Sequence, residues 1–195
     1  MIQIEAIRGF FPPEIRNDSL FDRYILKEYI QLSILDYLSA TLFIRKIVLI
    51  GGTNLRLVRG IDRFSEDLDF FLKRPDPDFQ WQRYLDPIIQ DGAGEGFHFN
   101  VLDKSRGEAA VKKTFLRTDS IGRVLLLELP FDRNTNKLIK VKLEIDTNLP
   151  MGPGYETRHV TFFRNISSDD LKAHSKPFRL GPAVEVHVPL IKLMP

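Results

Sequence analysis

The chain has 195 residues, of which 43% are hydrophobic and 28% charged, with a formal net charge of +2. That length suits one domain with a real core, and the near balance of charge neither requires nor opposes a phosphate-rich ligand. There is no cysteine, which excludes disulfide scaffolds and thiolate metal sites. The N-terminus, MIQIEAIRGFFPPEIRND, lacks a signal-peptide pattern, and no apolar run is long enough to cross a membrane. The expectation is a soluble, cytoplasmic protein with no membrane partner.

Phe11-Pro12-Pro13 and Asn17-Asp18 mark an irregular start. Across residues 19–40, apolar side chains recur at helical spacing (Leu20, Tyr24, Ile25, Tyr29, Ile30, Ile34, Leu35, Leu38), which predicts a long amphipathic helix capped by Asp18 or Ser19. Residues 48–50 read as a buried strand, Gly51-Gly52 as a tight turn, and residues 53–59 as a short helix offering Leu55, Leu57 and Val58 to the core. Asp67-Leu68-Asp69-Phe70 then alternates acid and hydrophobe, and Pro75 and Pro77 end that strand.

Residues 78–90 read as a helix with Trp81, Leu85 and Ile88 inward, followed by a Gly-rich loop at 91–96 that lacks the order of a P-loop. Strands are predicted at 97–102, 122–129 and 137–146, with a turn at 131–136 between the last two. The tail adds a strand at 160–163, a helix at 167–173 and a strand at 184–188. A helix first, then strands mixed with short helices, predicts an α/β (α+β) domain around one mixed β-sheet flanked by helices. The expected organisation is a single domain, 1–195: a helical segment at about 1–45, a core at about 46–150, and C-terminal elements at about 151–195.

In a strand, alternation puts Asp67 and Asp69 on one face and Leu68 and Phe70 on the other. Two carboxylates side by side repel, and a core strand that carries such a pair is suited to a divalent cation. Lys140 to Asp146 also has period two, with Lys140, Lys142, Glu144 and Asp146 sharing a face. Alone, that pattern describes an ordinary exposed strand face. Beside Asp67-Leu68-Asp69 it would add a third carboxylate, and a lysine able to reach a phosphate. Three carboxylates and a glycine turn suit nucleotidyl transfer, in which Mg2+ or Mn2+ neutralises charge on the attacking and leaving oxygens. The turn would present backbone N–H groups, with Thr53 or Asn54 adding a side-chain contact, so that it holds the triphosphate while the acids hold its metals.

Gly51-Gly52-Thr53 followed by Arg63-Phe64-Ser65-Glu66-Asp67-Leu68-Asp69-Phe70 resembles the glycine turn and Asp-hydrophobic-Asp signature of the nucleotidyltransferase superfamily. More narrowly, GGT-x-L and RFSEDLDF resemble the AbiEii/AbiGii toxins of bacterial toxin–antitoxin and phage abortive-infection systems, specifically across residues 48–71 and more weakly elsewhere. The resemblance implies a nucleotidyltransferase-like sheet, an NTP substrate, an RNA (tRNA) or protein acceptor, and a cognate antitoxin. It implies Asp67 and Asp69 as metal ligands, Gly51, Gly52, Thr53 and Ser65 around the nucleotide phosphates, and Lys142 with Asp146 as the second motif. Glu144 and Asp146 stay open as alternatives for the third acid. In the family, comparable sequence leads on to a helix with a functional lysine and to an Arg-Asp pair. Here the expectation is that those parts are missing, with Lys192 the one candidate replacement.

Elsewhere, Arg56, Arg59 and Arg63 flank the motif and read as solvated or ion-paired, while Lys112, Lys113 and Arg117 form a basic cluster around Phe115 suited to an RNA backbone. His98, His159, His174 and His187 have no zinc-ligand spacing, and Ser65 has no serine-hydrolase setting. Two other functions compete with the enzyme. One is a catalytically weak nucleotide- or partner-binding module of the same fold. The other is a metal-dependent nuclease, which would not need the glycine turn.

Overall fold

The computed structural model describes residues 4–94, 98–105, 109–118, 139–148, 154–160 and 184–189. The chain opens with two short helices, α1 (Ile4–Arg8) and α2 (Pro13–Arg16), and a single 3-10 turn at Ser19–Phe21. The Asp18 carboxylate accepts the Leu20 N–H and so caps this turn rather than the long helix it is expected to cap, whose own N-cap position, Phe21, carries no side-chain acceptor. Helix α3 (Asp22–Ser39) follows and buries Ile25, Leu26, Ile30, Leu32, Ile34, Leu35 and Leu38. It is enclosed more completely than a one-faced amphipathic helix, and buries Asp22, Glu28 and Gln31 as well.

A five-stranded sheet forms from β1 (Ile47–Ile50), β2 (Asp67–Leu72), β3 (Phe99–Asp103), β4 (Val111–Thr118) and β5 (Ile139–Asp146), in the order β1-β2-β5-β4-β3. β2 and β5 run parallel, and every other neighbouring pair is antiparallel. The expected mixed α/β sheet is therefore present, and β5 lies directly beside the acid-bearing strand. Two further strands, β6 (Tyr155–Val160) and β7 (Val184–Pro189), form a separate antiparallel pair.

Period two sorts the sheet into two faces. Leu68, Phe70 and Leu72 of β2 and Val141, Leu143 and Ile145 of β5 are buried on one. Trp81, Leu85 and Ile88, the last two on helix α5 (Gln82–Gly94), join that core. Trp81 meets Phe79 edge-on at 5.2 Å between centroids and donates its indole N–H to the Lys112 carbonyl.

Three expectations change. Helix α4 (Gly51–Leu57) starts at the glycines rather than after them. Thr53 and Asn54 thereby turn inward and Leu55 outward, where it is exposed. Helix α5 runs through to Gly94, into the stretch expected to be a loop, because glycines at a helix end cost little once the preceding turns are packed. Strand β4, expected only as a basic cluster, is a central strand whose inward side chains include Lys112, Thr114 and Thr118, too polar to signal a core strand. The strand expected at 122–129, the turn at 131–136 and the helix at 167–173 lie outside the described residues, as does the strand expected at 160–163 except for Val160, which ends β6. Among the described residues, no helix is long and apolar enough to cross a membrane.

Candidate functional site

The site grows from the junction of β1 with α4. Gly51 takes a φ of 67°, a left-handed conformation that L side chains rarely adopt. Space sets a second requirement: a Cβ on Gly51 would lie 2.3 Å from Asp69 Oδ2, and one on Gly52 would lie 2.7 Å from Ser65 Oγ. The glycine turn thus rests its bare backbone against the second acid of the DLD pair and against the serine before it.

Two buried polar side chains fix the approach to β2. The Thr53 hydroxyl donates to the Asp67 carbonyl, and Gln31 Nε2 on α3 donates to the Ser65 carbonyl at 3.2 Å. Thr53 is therefore turned toward the strand backbone, with its side chain 2% exposed. Gln31 belongs to no sequence motif; its one signal is an amide between Ile30 and Leu32 in an otherwise apolar stretch. Arg56 holds α4 to α3 through Glu28 Oε2 at 2.9 Å, reaches Asp62 at 3.1 Å, and covers the Phe64 ring. Burial pushes the Glu28 carboxyl up against the pull of Arg56.

The parallel register sets Asp67 opposite Lys142, Asp69 opposite Glu144, and Phe71 opposite Asp146. Residues directly opposite share a face. Lys142 Nζ sits 2.7 Å from Asp67 Oδ2 and 3.3 Å from Glu144 Oε2, and Lys113 Nζ of β4 sits 2.6 Å from Glu144 Oε1. Asp146 lies further along the strand, beside Val111, and its Oδ1 accepts the Asn148 N–H. Asp67, Asp69, Lys142 and Glu144 are therefore grouped at the glycine turn, while Asp146 is set off toward the strand end. Lys113, expected in an RNA-gripping cluster, is an ion-pair partner of the acids.

The electrostatics agree with this grouping. Burial, then Asp67, then Glu144 push the Asp69 carboxyl above its usual value, with Lys142 and Lys113 opposing. Burial also raises Glu144, but hydrogen bonds and charge from Lys113 and Lys142 outweigh it and hold that carboxyl low. Burial lowers Lys142, and its contacts with Asp67 and Glu144 raise it beyond that loss.

Among the described residues, no group of three or more His, Asp or Glu side chains is arranged to hold a metal ion in this geometry, with lysines lying between the carboxylates instead. The donor set still fits a hard divalent cation: Asp67, Asp69 and Glu144 offer only carboxylate oxygens on one face, and their mutual repulsion is felt at Asp69. Arg59 pairs with Glu156 at 2.8 Å and with the Pro189 carbonyl at 3.1 Å, tying the turn that follows α4 to the β6–β7 pair.

A family model described as nucleotidyl transferase AbiEii toxin, type IV TA system, matches residues 33–185. Two solved structures resemble this chain. One, a Helicobacter pylori protein proposed to be a nucleotidyltransferase, is 19% identical, with 83% of this chain and 57% of that chain covered, at a TM-score of 0.46. The other, JHP933 from Helicobacter pylori, is 21% identical, with 76% and 53% covered, at a TM-score of 0.46. The present chain thus spans little more than half the length of these structures. Comparison with curated proteins returned no match.

Proposed function

We propose that this chain, which belongs to the AbiEii nucleotidyltransferase toxin family, carries the core of a magnesium-dependent transfer of a nucleotide from an NTP to an RNA or protein acceptor. The observation that carries the reading is the β2–β5 register, which aligns Asp69 with Glu144 and Asp67 with Lys142 beside the glycine turn. In the reaction, an acceptor oxygen attacks the α-phosphorus and the bond to the bridging oxygen breaks. Pyrophosphate leaves, and the acceptor's proton passes to a carboxylate of the cluster.

Asp67, Asp69 and Glu144 would hold Mg2+ or Mn2+, which when bound stabilises charge on the phosphate oxygens. Glu144 is favoured over Asp146 as the third acid because it is the partner of Asp69 across the parallel pair. Lys142 keeps Asp67 and Glu144 close despite their repulsion, and is near enough to them to meet a phosphate. Gly51 and Gly52 let the triphosphate approach the backbone, and Ser65 borders the same turn. Thr53 acts as a positioning residue through the Asp67 carbonyl. The family's type IV toxin–antitoxin character supports a cognate antitoxin as partner.

The test is incubation with each labelled NTP, Mg2+ and total RNA or total protein. Label joining either acceptor, and falling at least about 1,000-fold in Asp67→Ala and Asp69→Ala, is the expected result. Nucleotide binding without transfer would replace the enzyme by a binding module. RNA shortening without NTP would point to a nuclease.

A further inference from the structure

The acid-bearing face of the sheet continues past the carboxylates, and there its chemistry changes sign. Phe115 of β4 stands opposite Lys142, and Arg117 stands opposite Lys140. Lys113 and Lys140 are exposed and Phe115, Arg117 and Lys142 half-buried, so this face of the two strands reaches solvent. Lys104, just beyond β3, holds its Nζ 5.4 Å from the Phe115 ring centroid.

Like charges placed directly across a strand pair destabilise it, yet Arg117 and Lys140 are so placed, with no ion pair to either among the described residues. Arg117 Nε is also shielded from solvent with no hydrogen-bond acceptor among the described residues. An aromatic ring with cations on both sides, on an open sheet face, matches the needs of an unpaired nucleotide strand: a π surface for a base and charges spaced along the sheet for phosphates. The ring between those cations favours a nucleotide strand over a polypeptide, because each nucleotide pairs a base that can stack with a phosphate that can meet a cation.

We infer that Lys104, Phe115, Arg117 and Lys140 form a binding strip for single-stranded RNA that leads an end of the strand to Asp67, Asp69 and Glu144. The inference rests on the proposed transfer for its purpose, and it narrows the acceptor to RNA. Binding itself needs neither NTP nor metal, so the two readings can fail separately.

The experiment measures fluorescence anisotropy of a labelled single-stranded RNA oligonucleotide with the full chain, without NTP or metal, over a series of salt concentrations. Arg117→Glu and Lys140→Glu are each expected to weaken binding about tenfold, and Arg117→Gln with Lys140→Gln to flatten the log–log salt dependence by about 1.4, from two phosphate contacts at ~0.7 each. Phe115→Leu, which keeps an apolar side chain in place, is expected to weaken binding about tenfold at unchanged salt dependence. Arg83→Glu, an equal charge change at an exposed position on α5, should leave binding unaltered.

Equal weakening by Arg83→Glu, or a duplex of the same sequence binding as tightly as the single strand, would overturn the strip. So would wild-type affinity in both Arg117→Glu and Lys140→Glu. In parallel, binding of a fluorescent NTP with Mg2+ should survive in the strip variants and drop in Asp69→Asn, while Asp69→Asn keeps its RNA affinity. An Asp69→Asn protein that binds the NTP normally would count against the proposed metal site and leave the strip standing.

Discussion

The two faces of β5 are made by neighbouring residues and do opposite work. Leu143 is completely buried, packed with Leu68, Phe70 and Ile145. Glu144, the next residue, stands among Lys142, Lys113 and Asp69 on the open face. A core face lowers free energy by removing apolar surface from water. A site face holds like charges close together, which raises it. The strand tolerates the second because it has the first, so stability and chemistry are separable here to within one residue.

The sharpest way to break this comparison is to change those two neighbours. Glu144→Gln is expected to reduce nucleotide transfer by about 100-fold or more while moving stability by less than about 1 kcal/mol. Leu143→Ala is expected to cost about 2–5 kcal/mol and to reduce activity only as far as the protein unfolds. Urea denaturation and single-turnover transfer on both variants check the pair. A Leu143→Ala protein of normal stability, or a fully active Glu144→Gln protein, would erase the distinction.

A smaller effect is expected where the two kinds of region meet. Arg56→Met leaves Glu28 unpaired in a largely buried position, which should cost about 3 kcal/mol. The loss should shrink as pH falls and Glu28 takes up a proton, a dependence that thermal melts across acidic pH would read. Gly51→Ala comes next: the left-handed backbone alone should cost roughly 1–2 kcal/mol. The new methyl would also displace the Asp69 carboxylate, so metal affinity, followed by Mn2+ titration, should fall with it.

The smallest effect has the opposite sign. The raised Asp69 value means that its ionised form opposes folding. That cost is absent below the ordinary aspartate range and complete above the raised folded-state value. Asp69→Asn should therefore raise the melting temperature at neutral pH in chelator. It should also remove the loss of stability that the native chain shows as pH rises through that window. A variant that melts lower than the native chain would show that Asp69 is held by attractions stronger than the repulsion.

Much of this arrangement is legible in the order of the residues. The alternation in residues 67–70 and 140–146 separates core side chains from polar ones, because a strand turns each successive side chain to the opposite face. The helix after Asp18 follows from its apolar spacing, and the left-handed Gly51 is of a kind that a Gly-Gly pair announces. Strand β4 is not legible in this way, because Lys112, Thr114 and Thr118 fill inward positions where hydrophobes would have marked it. Gln31 is not legible either: its worth lies in reaching the Ser65 carbonyl across 34 positions of sequence.

The third acid shows most clearly where local pattern stops. Glu144 and Asp146 are two residues apart, and period two assigns them to the same face under any register that slips by an even number of residues. The sequence by itself therefore determined the face on which the carboxylates stand. Only the parallel pairing of β2 with β5 decided that Glu144, and not Asp146, stands opposite Asp69. Register belongs to two strands at once, set by how the whole sheet packs on α3 and α5, and no single strand carries it alone.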